Sequence, residues 1–248
     1  MKTPACIGII LDGNRRWAKE HGLPTLEGHR QGAERLRDTV RWVRDRGVKH
    51  LAVYAFSTEN WNRAAEEVSY LMKLFRDIVE THFIELAKEN IRIRFVGERK
   101  RFDADMRASM ERIEKESEKN TALTLWVCLS YGGRTEIAAA ARAAGNITEE
   151  SIGAQLWTAG MPPHQSACPK CGRKADERNR TLCDWCGGMS DPDIIIRTGG
   201  EKRLSGFLTW QSIYSELFFI DQYWPDFSES ILDSILTEYE QRERRMGA

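Results

Sequence analysis

Short runs of apolar residues alternate along the chain with longer stretches in which apolar residues return every third or fourth position. The short runs are typical of buried strands, and the longer stretches are typical of amphipathic helices. Their alternation predicts an α/β fold with a mostly parallel central sheet flanked by helices. The six predicted strands are residues 6–11, 50–56, 91–96, 123–129, 194–197 and 217–220.

Two helical stretches differ in the width of their apolar stripe. The first contains Ala33, Leu36, Val40 and Val43, and its narrow stripe predicts a surface helix. The second covers residues 66–90 and carries more large apolar side chains. Such a helix fits ordinary core packing and fits equally well the wall of a site for a long apolar ligand, because periodicity does not separate the two.

The first predicted strand ends in the polar segment Asp12-Gly13-Asn14-Arg15-Arg16-Trp17. Parallel sheets bind ligands at the carboxyl ends of their strands, and a helix that starts there offers free backbone N–H groups to a phosphate. Asp12 could hold Mg²⁺ against that phosphate, since this ion prefers oxygen ligands. The alternative is that Asp12 only caps the helix.

Three further segments at strand ends are rich in polar and basic groups. They are STENWNR at 57–63, SYGGR at 130–134 and RTGGEKRLS at 197–205. Arginines combined with glycines and hydroxyls can wrap a diphosphate. One such loop alone is more often a turn than a site, but several at the same sheet edge predict an anion-binding site.

Four of the six cysteines cluster in one segment without apolar periodicity. Cys168 and Cys171 form one CxxC pair, and Cys183 and Cys186 form a second, which suits a structural tetrahedral Zn²⁺ with no open coordination position. Two disulfides or free thiols are the alternatives. Basic residues in the segment would also permit binding of nucleic acid or protein, but acidic residues are interleaved with them, which favours a structural or interface role.

The segment divides the chain into a catalytic domain, residues 1–160 and 190–248, and a zinc-binding insert, residues 161–189. Lys plus Arg and Asp plus Glu both number 37, so the net charge is zero and a nucleic-acid partner is not expected. No apolar run is long enough for a membrane span or a signal peptide, and clustered cysteines suggest a reducing compartment. We therefore expect a cytoplasmic protein.

An ordered set of motifs resembles the cis-prenyltransferase family, of which undecaprenyl diphosphate synthase is the bacterial type. The motifs appear in family order and span nearly the whole chain apart from the insert. They are DGNRRWA at 12–18, GHRQG at 28–32, AFSTENWNR at 55–63, EEVSYLM at 66–72, SYGGR at 130–134, DPDIIIRTGGEKRLS at 191–205, WQSIYSEL at 210–217, WPDF at 224–227 and RERRMG at 242–247.

The resemblance implies a reaction and its cofactor: Mg²⁺-dependent extension of an allylic prenyl diphosphate by isopentenyl diphosphate, with an apolar tunnel for the growing product. It implies that Asp12 holds Mg²⁺ and that Glu216 is the second acidic metal contact. Asp12, His29, Ser57 and Asn60 are the implied catalytic residues. The proton acceptor stays open between a diphosphate oxygen and a polar side chain near Ser57 and Asn60.

Substrate-binding roles also follow from the resemblance. The loop with Gly13, Asn14, Arg15, Arg16 and Trp17, together with His29, is expected at the allylic diphosphate. A mobile loop that orders over the substrates is expected to contain Asn60, Trp61 and Arg63. Further substrate-binding residues are expected to be Ser57, Thr58 and Glu59, with Ser57 and Asn60 closest to the reacting carbons. Arg197, Arg203 and Ser205 are expected to hold the isopentenyl diphosphate. A homodimer is implied as well, and the lipid product would bring the enzyme to a membrane surface.

Several positions depart from the family pattern. Thr25 stands where a basic residue is common, Ser130 and Gly206 stand where Asn is common, and Ala64 replaces a proline. These differences leave open an enzyme that joins isoprenoid units in an irregular, non-head-to-tail way. A non-catalytic partner subunit is the other alternative, although the retained acidic and basic motif residues oppose it. Leu129, on one face of the fourth strand with 123, 125 and 127, is predicted to narrow the tunnel.

Overall fold

The strands follow the predicted order along the chain and form one sheet. Their bounds are β1 (Cys6–Ile10), β2 (His50–Ser57), β3 (Ile91–Val96), β4 (Leu123–Tyr131), β5 (Ile194–Arg197) and β6 (Glu216–Phe219). In the computed structural model, which describes residues 3–159 and 191–242, the strand order is β3-β4-β2-β1-β5-β6. All five neighbouring pairs are parallel, which confirms the predicted α/β class.

Helices connect the strands and cover both faces of the sheet. They are α1 (Asn14–Glu20), α2 (Thr25–Asp45), α3 (Ala65–Glu80), α4 (His82–Lys88), α5 (Ala104–Glu116), α6 (Gly133–Ala143), α7 (Glu149–Gly153) and α8 (Glu229–Gln241), with single 3₁₀ turns at Thr58–Asn62, Arg99–Arg101 and Trp224–Asp226. None of the helices within 3–159 and 191–242 is long and apolar enough to cross a membrane.

Alternate residues of β1, β2, β4 and β5 belong to two separate cores, as the period of a strand requires. Ile7 and Ile9 of β1 pack in the larger core with residues of α2, α3, α4, α5 and α8. Cys6 and Ile10 pack in a smaller core on the opposite face, with Phe207 among its members. The sheet is therefore buried on both faces, which explains why its strands appear in the sequence as continuous apolar runs.

The apolar stretch at 66–90 contains two helices instead of one. The break falls at Thr81, whose φ of −122° and ψ of −76° lie outside the helical region. The Thr81 hydroxyl donates to the carbonyl oxygen of Asp77 at 2.6 Å, a bond to residue i−4 that bends helices. No glycine or proline marks this position, so the sequence pattern did not predict the break.

Because all six strands are parallel, their carboxyl ends lie along one edge of the sheet. The chain after β1, β2, β4 and β5 therefore brings the predicted polar segments together at that edge. The predicted zinc-binding insert, residues 161–189 with Cys168, Cys171, Cys183 and Cys186, lies outside the described residues, as do the domain boundaries next to it.

Candidate active site

A cavity of about 830 Å³ opens at the carboxyl edge of the sheet. One end is polar and the other is apolar. The polar lining comprises Asp12, Asn14, His29, Ser57, Glu59, Asn60, Arg63, Arg134, Arg197 and Ser205, and the apolar lining includes Ala33, Leu36, Phe56, Leu71, Leu74, Phe75 and Ile78. The strand-end segments that the sequence singled out therefore converge on one cavity.

A second cleft, of about 690 Å³, adjoins the polar end of the cavity and shares several lining residues with it. The cleft adds Gly13, Arg15, Arg16, Lys19 and Thr25. Arg15 is well exposed, and its guanidinium lies 3.9 Å from Glu67. This end of the site thus has two basic surfaces, one around Arg16 and one around Arg197.

Asp12 lies two residues beyond β1 and is held by two arginines. Its Oδ2 accepts a hydrogen bond from Arg197 Nη2 at 2.8 Å, and its Oδ1 lies 3.2 Å from Arg16 Nη2. The residue that precedes α1 is Gly13, with φ 106°, and no side chain caps that helix. The alternative that Asp12 is merely a helix cap is therefore excluded.

Arg16 is fixed from three sides. Its Nη1 donates to the carbonyl oxygen of Gly199 at 2.8 Å, and its guanidinium lies 5.3 Å from the ring centre of Tyr223. The Tyr223 hydroxyl in turn donates to Glu20 at 2.7 Å. A Cβ at Gly13 would lie 2.6 Å from the Tyr223 ring, so only glycine fits between Asp12 and this tyrosine. Sequence reasoning missed Tyr223, which belongs to no motif quoted above.

His29 lines both the cavity and the cleft. Burial, and after it the positive charge of Arg63, lowers the pKa of His29 to about 4. At neutral pH the imidazole is therefore uncharged and offers a single N–H donor. His29 Nε2 lies 3.6 Å from Glu67 Oε1, and Arg63 Nη1 donates to the same carboxylate oxygen at 2.9 Å. Glu67 was missed by the sequence analysis, although its i,i+4 spacing from Arg63 was a usable signal.

Ser57 and Asn60 both line the cavity, as the resemblance implied. The backbone N–H of Ser57 donates to Asn60 Oδ1 at 3.0 Å, which fixes the amide group at the start of the Thr58–Asn62 turn. Glu59 also lines the cavity. Ser57 and Asn60 thus form a capping box at the start of this turn, and both residues line the cavity next to its apolar wall.

Arg197 joins three expected site residues. Its side chain is only 6% exposed, and in addition to Asp12 it donates to Ser205 Oγ at 2.9 Å and to the carbonyl oxygen of Arg203. The Arg203 side chain itself is 61% exposed and pairs with Glu201. Arg203 thus does not line the cavity, and its contribution to the site in this structure comes from its backbone.

Three residues expected at the substrates lie elsewhere. Trp17 donates from Nε1 to Asp226 at 2.8 Å and stacks on His21, away from both openings. Thr58 and Trp61 are absent from the lining of the cavity, although their chain neighbours belong to it. The reason is the 3₁₀ geometry of the turn, since successive side chains point in different directions.

Glu216 does not approach Asp12 within this chain. It pairs with Ile194 of β5, which pairs with Ile7, so Glu216 lies level with the start of β1. Asp12 lies beyond the opposite end of β1, about 16 Å further along the strand direction at ~3.3 Å per residue. Arg242 Nη1 donates to Glu216 Oε2 at 2.7 Å. Within one chain the structure therefore does not bring these two carboxylates together.

The prediction for Leu129 is also not supported by the cavity. Leu123, Leu125, Val127 and Leu129 of β4 are at most 3% exposed, and none lines the cavity. They do share one face and one core, as their alternation predicted. In contrast, Leu71, Leu74 and Phe75 of α3 line the cavity as well as contacting the core. The apolar wall consequently lies on α2, α3 and the end of β2.

A buried carboxylate supports the turn between β4 and α6. Glu136 is fully buried and accepts hydrogen bonds from Tyr131 Oη at 2.5 Å, from Gln211 Nε2 at 3.1 Å and from the backbone N–H of Trp157 at 2.9 Å. Burial raises the pKa of Glu136, and these donors oppose that effect. Arg134, two residues before Glu136, lines the cavity. Neither residue was among the predicted site residues.

The polar end has the oxygen atoms that Mg²⁺ needs. Apart from Asp12, the side-chain Oδ1 of Asn14 is buried and has no hydrogen-bond partner. No cluster of three or more acidic, histidine or cysteine residues that could hold a metal occurs in the ranges 3–159 and 191–242. Mg²⁺ is usually bound by one or two carboxylates, with substrate phosphates and water as its remaining ligands. The residues at the polar end therefore fit this ion.

Comparisons with known proteins agree with the geometry. The family model Prenyltransf, described as "Putative undecaprenyl diphosphate synthase", matches residues 10–247. An isoprenyl transferase of Agrobacterium fabrum is 41% identical over 245 residues, which cover 99% of this chain and 92% of the relative.

Two solved structures cover nearly all of the chain and of their own length. Lavandulyl diphosphate synthase from Lavandula x intermedia, in complex with dimethylallyl diphosphate, has a TM-score of 0.84 at 28% identity, with 99% of each chain covered. A Campylobacter jejuni protein described as a probable undecaprenyl diphosphate synthase has a TM-score of 0.76 at 25% identity, with 100% of each chain covered. The fold of this chain is thus shared with a lavandulyl diphosphate synthase and with a probable undecaprenyl diphosphate synthase.

Proposed function

The chain belongs to the undecaprenyl diphosphate synthase family of prenyltransferases, and we propose that it condenses isopentenyl diphosphate with an allylic prenyl diphosphate to give a Z-configured product. The observation that carries this proposal is the cavity itself, which has Asp12 and Arg197 at one end and an apolar wall at the other. A substrate with a diphosphate head and a hydrocarbon tail matches both ends.

The residues at the polar end suit two diphosphates. We assign Arg16, Arg63 and the neutral N–H of His29 to the allylic diphosphate, and Arg197 with Ser205 to the isopentenyl diphosphate. Asp12 and Asn14 would hold Mg²⁺, and when bound the ion supplies positive charge that stabilises the departing diphosphate. The arginines act on the same developing negative charge.

The reaction forms one carbon–carbon bond and breaks one carbon–oxygen bond. Diphosphate leaves the allylic carbon, the double bond of the isopentenyl unit attacks that carbon, and one proton leaves the isopentenyl unit. Leu71, Leu74 and Phe75 exclude water from the cationic allyl fragment, which would otherwise be hydrolysed. The proton acceptor is either a diphosphate oxygen or a polar group at Ser57 and Asn60.

The decisive experiment incubates the purified protein with Mg²⁺, labelled isopentenyl diphosphate and a series of allylic starters. We expect labelled product only when an allylic starter is present, together with release of one diphosphate for each condensation. No product with any starter would contradict the proposal and would favour the non-catalytic partner subunit.

Irregular condensation is the second candidate function. It is supported by the TM-score of 0.84 to lavandulyl diphosphate synthase, the higher of the two values given above. Labelled product from dimethylallyl diphosphate alone would favour it over regular elongation. The cavity volume of about 830 Å³ falls in the range of sites for drug-sized ligands, which supports a shorter product than a long polyprenyl chain.

We also propose a homodimer. Ile213 and Tyr214 are 71% and 66% exposed, and Leu217 on the edge strand β6 is 38% exposed. Exposed apolar side chains on an edge strand and in the segment just before it are a typical interaction surface, and a second copy of the chain is the proposed occupant. Sedimentation of Tyr214→Ser, compared with the wild type, tests this proposal.

The remaining proposals concern the cysteine segment and the location of the protein. We propose that Cys168, Cys171, Cys183 and Cys186 bind one structural Zn²⁺, supported by the spacing of the two CxxC pairs. We propose that residues 161–189 form this insert within a catalytic domain of residues 1–160 and 190–248. A cytoplasmic location, with membrane contact through the lipid product, completes the proposed function.

A further inference from the structure

We propose that Ser130 is a positioning residue that acts through Trp61 to hold the Thr58–Asn62 turn over the cavity. Ser130 is the last residue but one of β4 and does not line the cavity. The proposal rests on the proposed function, because the turn presents Asn60 and the following Arg63 to the substrates. Ser130 was not among the site residues predicted from the sequence motifs.

Trp61 is held by four side-chain contacts. Its Nε1 donates to Ser130 Oγ at 2.9 Å, and its ring meets the edge of Phe56 with a centroid distance of 5.0 Å. The guanidinium of Arg101 lies 4.8 Å from the ring centre, and Phe102 packs at 5.5 Å. Among these four, Ser130 offers the one hydrogen bond, which fixes the orientation of the indole in its plane.

The turn depends on this anchor for its position. None of its five residues is fully buried, and Trp61 is the residue of the turn that packs against the apolar core. Asn60 and Arg63 lie on either side of Trp61 along the chain, and both line the cavity. A shift of the indole would therefore move both cavity-lining groups.

Ser130 adopts a backbone conformation that serine rarely takes. Its φ is 50°, and its side chain is completely buried. The packing of the neighbouring loop imposes this conformation: the N–H of Glu98 donates to the Ser130 carbonyl oxygen at 3.1 Å, and a Cβ at Gly97 would lie 1.9 Å from the Leu129 oxygen. Glycine would relieve the strain, but glycine has no hydroxyl to accept the Trp61 bond.

Ser130→Gly tests the proposal because it relieves the backbone strain at this position and at the same time removes the hydroxyl. The variant therefore separates an effect on stability from an effect on function. The variant removes the hydrogen-bond acceptor and favours the observed φ, so its melting temperature should stay within about 4 °C of the wild type. We expect a rise of about 2- to 10-fold in KM for the allylic substrate, the range of one neutral hydrogen bond, with a smaller change in kcat.

The matched control is Ser117→Ala. Ser117 is also fully buried, and its hydroxyl accepts the N–H of Ile93 at 3.0 Å. Neither residue lines the cavity. This variant loses a comparable bond and should melt earlier with no change in KM. A KM change of equal size in both variants would overturn the proposal, since it would reflect general loosening.

A double-mutant cycle with Trp61→Phe isolates the bond itself. Phenylalanine keeps a ring beside Phe56 and Arg101 but has no N–H donor, so the double variant should be no worse than the more affected single variant. Fully additive effects on KM would mean that the two residues act independently, and would overturn the inference.

Hydrogen exchange gives a readout that does not depend on turnover. The amides of residues 58–62 should exchange faster in Ser130→Gly than in the wild type without substrate. Unchanged exchange at these amides would overturn the role of Ser130. An inactive wild-type protein would instead contradict the proposed function, so the two failures are distinguishable.

Discussion

The Asp12 carboxylate accepts a hydrogen bond from the Arg197 guanidinium at 2.8 Å, across the neighbouring ends of β1 and β5. Because the Arg197 side chain is 6% exposed, its charge depends on this partner for compensation. Asp12 therefore has two functions in the protein: it offers oxygen to a metal ion, and it neutralises a buried arginine.

Replacing Asp12 tests both functions. We expect Asp12→Ala to lower turnover by about 100-fold or more, because it removes an electrostatic contact to the developing charge. It should also lower the free energy of unfolding by about 1–3 kcal/mol, since Arg197 keeps its charge without a partner. Steady-state incorporation of isopentenyl diphosphate and urea unfolding give the two values. The control is Asp226→Ala, which removes a carboxylate outside the cavity and should leave turnover within about two-fold of the wild type.

Tyr223 is expected to govern the placement of Arg16. Tyr223→Leu removes the ring under the guanidinium and should raise KM for the allylic substrate by about 3- to 10-fold, the range of one cation–π contact. Tyr223→Phe keeps the ring and loses only the hydroxyl bond to Glu20, so it should stay close to the wild type. Equal KM values for Leu and Phe would show that the ring does not support Arg16.

His29 should make folding sensitive to acid. Its pKa is lowered from 6.5 to about 4 in the folded protein. Between these values the unfolded chain binds a proton that the folded chain does not bind, so stability decreases as pH falls through this window. The decrease in the free energy of unfolding is at most about 3 kcal/mol, and it disappears as the pH rises above 6.5.

The measurement is urea unfolding of the wild type and His29→Gln at pH 7.5, 5.5 and 4.5. The variant lacks this titration, so the difference in stability between the two proteins should shift in favour of the variant at lower pH. A difference that stays constant from pH 7.5 to 4.5 would mean that the His29 imidazole titrates as it does in solvent.

Product length is expected to depend on α3. Ile78 lines the apolar end of the cavity, and it lies about 16 Å along the helix from Glu67 at the polar end. Ile78→Ala should lengthen the products, and because part of the side chain faces the cavity it should cost less than the ~2–5 kcal/mol of a fully packed site. Mass-spectrometric sizing at a fixed excess of isopentenyl diphosphate checks this result.

Leu129→Ala is the matched control for Ile78→Ala. Leu129 is buried in the core and does not line the cavity, so the change should cost about 2–5 kcal/mol of stability while product length stays constant. Longer products from Leu129→Ala than from Ile78→Ala would restore the sequence-based prediction and refute the assignment to α3.

The cysteine segment is expected to bind one Zn²⁺ per chain. Elemental analysis of purified protein should give this ratio, and a variant with serine at positions 168, 171, 183 and 186 should contain no zinc. We expect that variant to retain the Asp12 site, since the site is built from the strand ends. A wild type without zinc, with four thiols open to titration, would refute the metal site.

The sequence predicted the convergence of polar segments because a parallel sheet places all carboxyl strand ends on one edge. Asp12 and Arg197 are therefore where their motifs imply. Side-chain direction within a short turn does not follow from a motif, and Trp61 was consequently assigned to the substrates although it faces Ser130.

Leu129 and Glu216 illustrate a second limit. The alternation in β4 correctly placed Leu129 on one face, but the cavity wall depends on which strands are neighbours. In the sheet order β4-β2-β1, strand β2 lies between β4 and β1. Phe56 of β2 lines the cavity, whereas Leu129 of β4 does not. The position of Glu216 likewise depends on the register of β6 against β5, which is set by tertiary pairing.

The central pairing of β1 with β5 also determines the order in which the sheet can be completed. The backbone N–H groups of Ala5 and Cys6 donate to the carboxylate of Asp193, 188 and 187 residues later in the chain. During synthesis at about 5–20 residues per second, β1 remains an unpaired edge for several seconds after β4 has emerged. The cysteine segment is made within this interval, so the nascent chain presents its thiols before β5 closes the sheet.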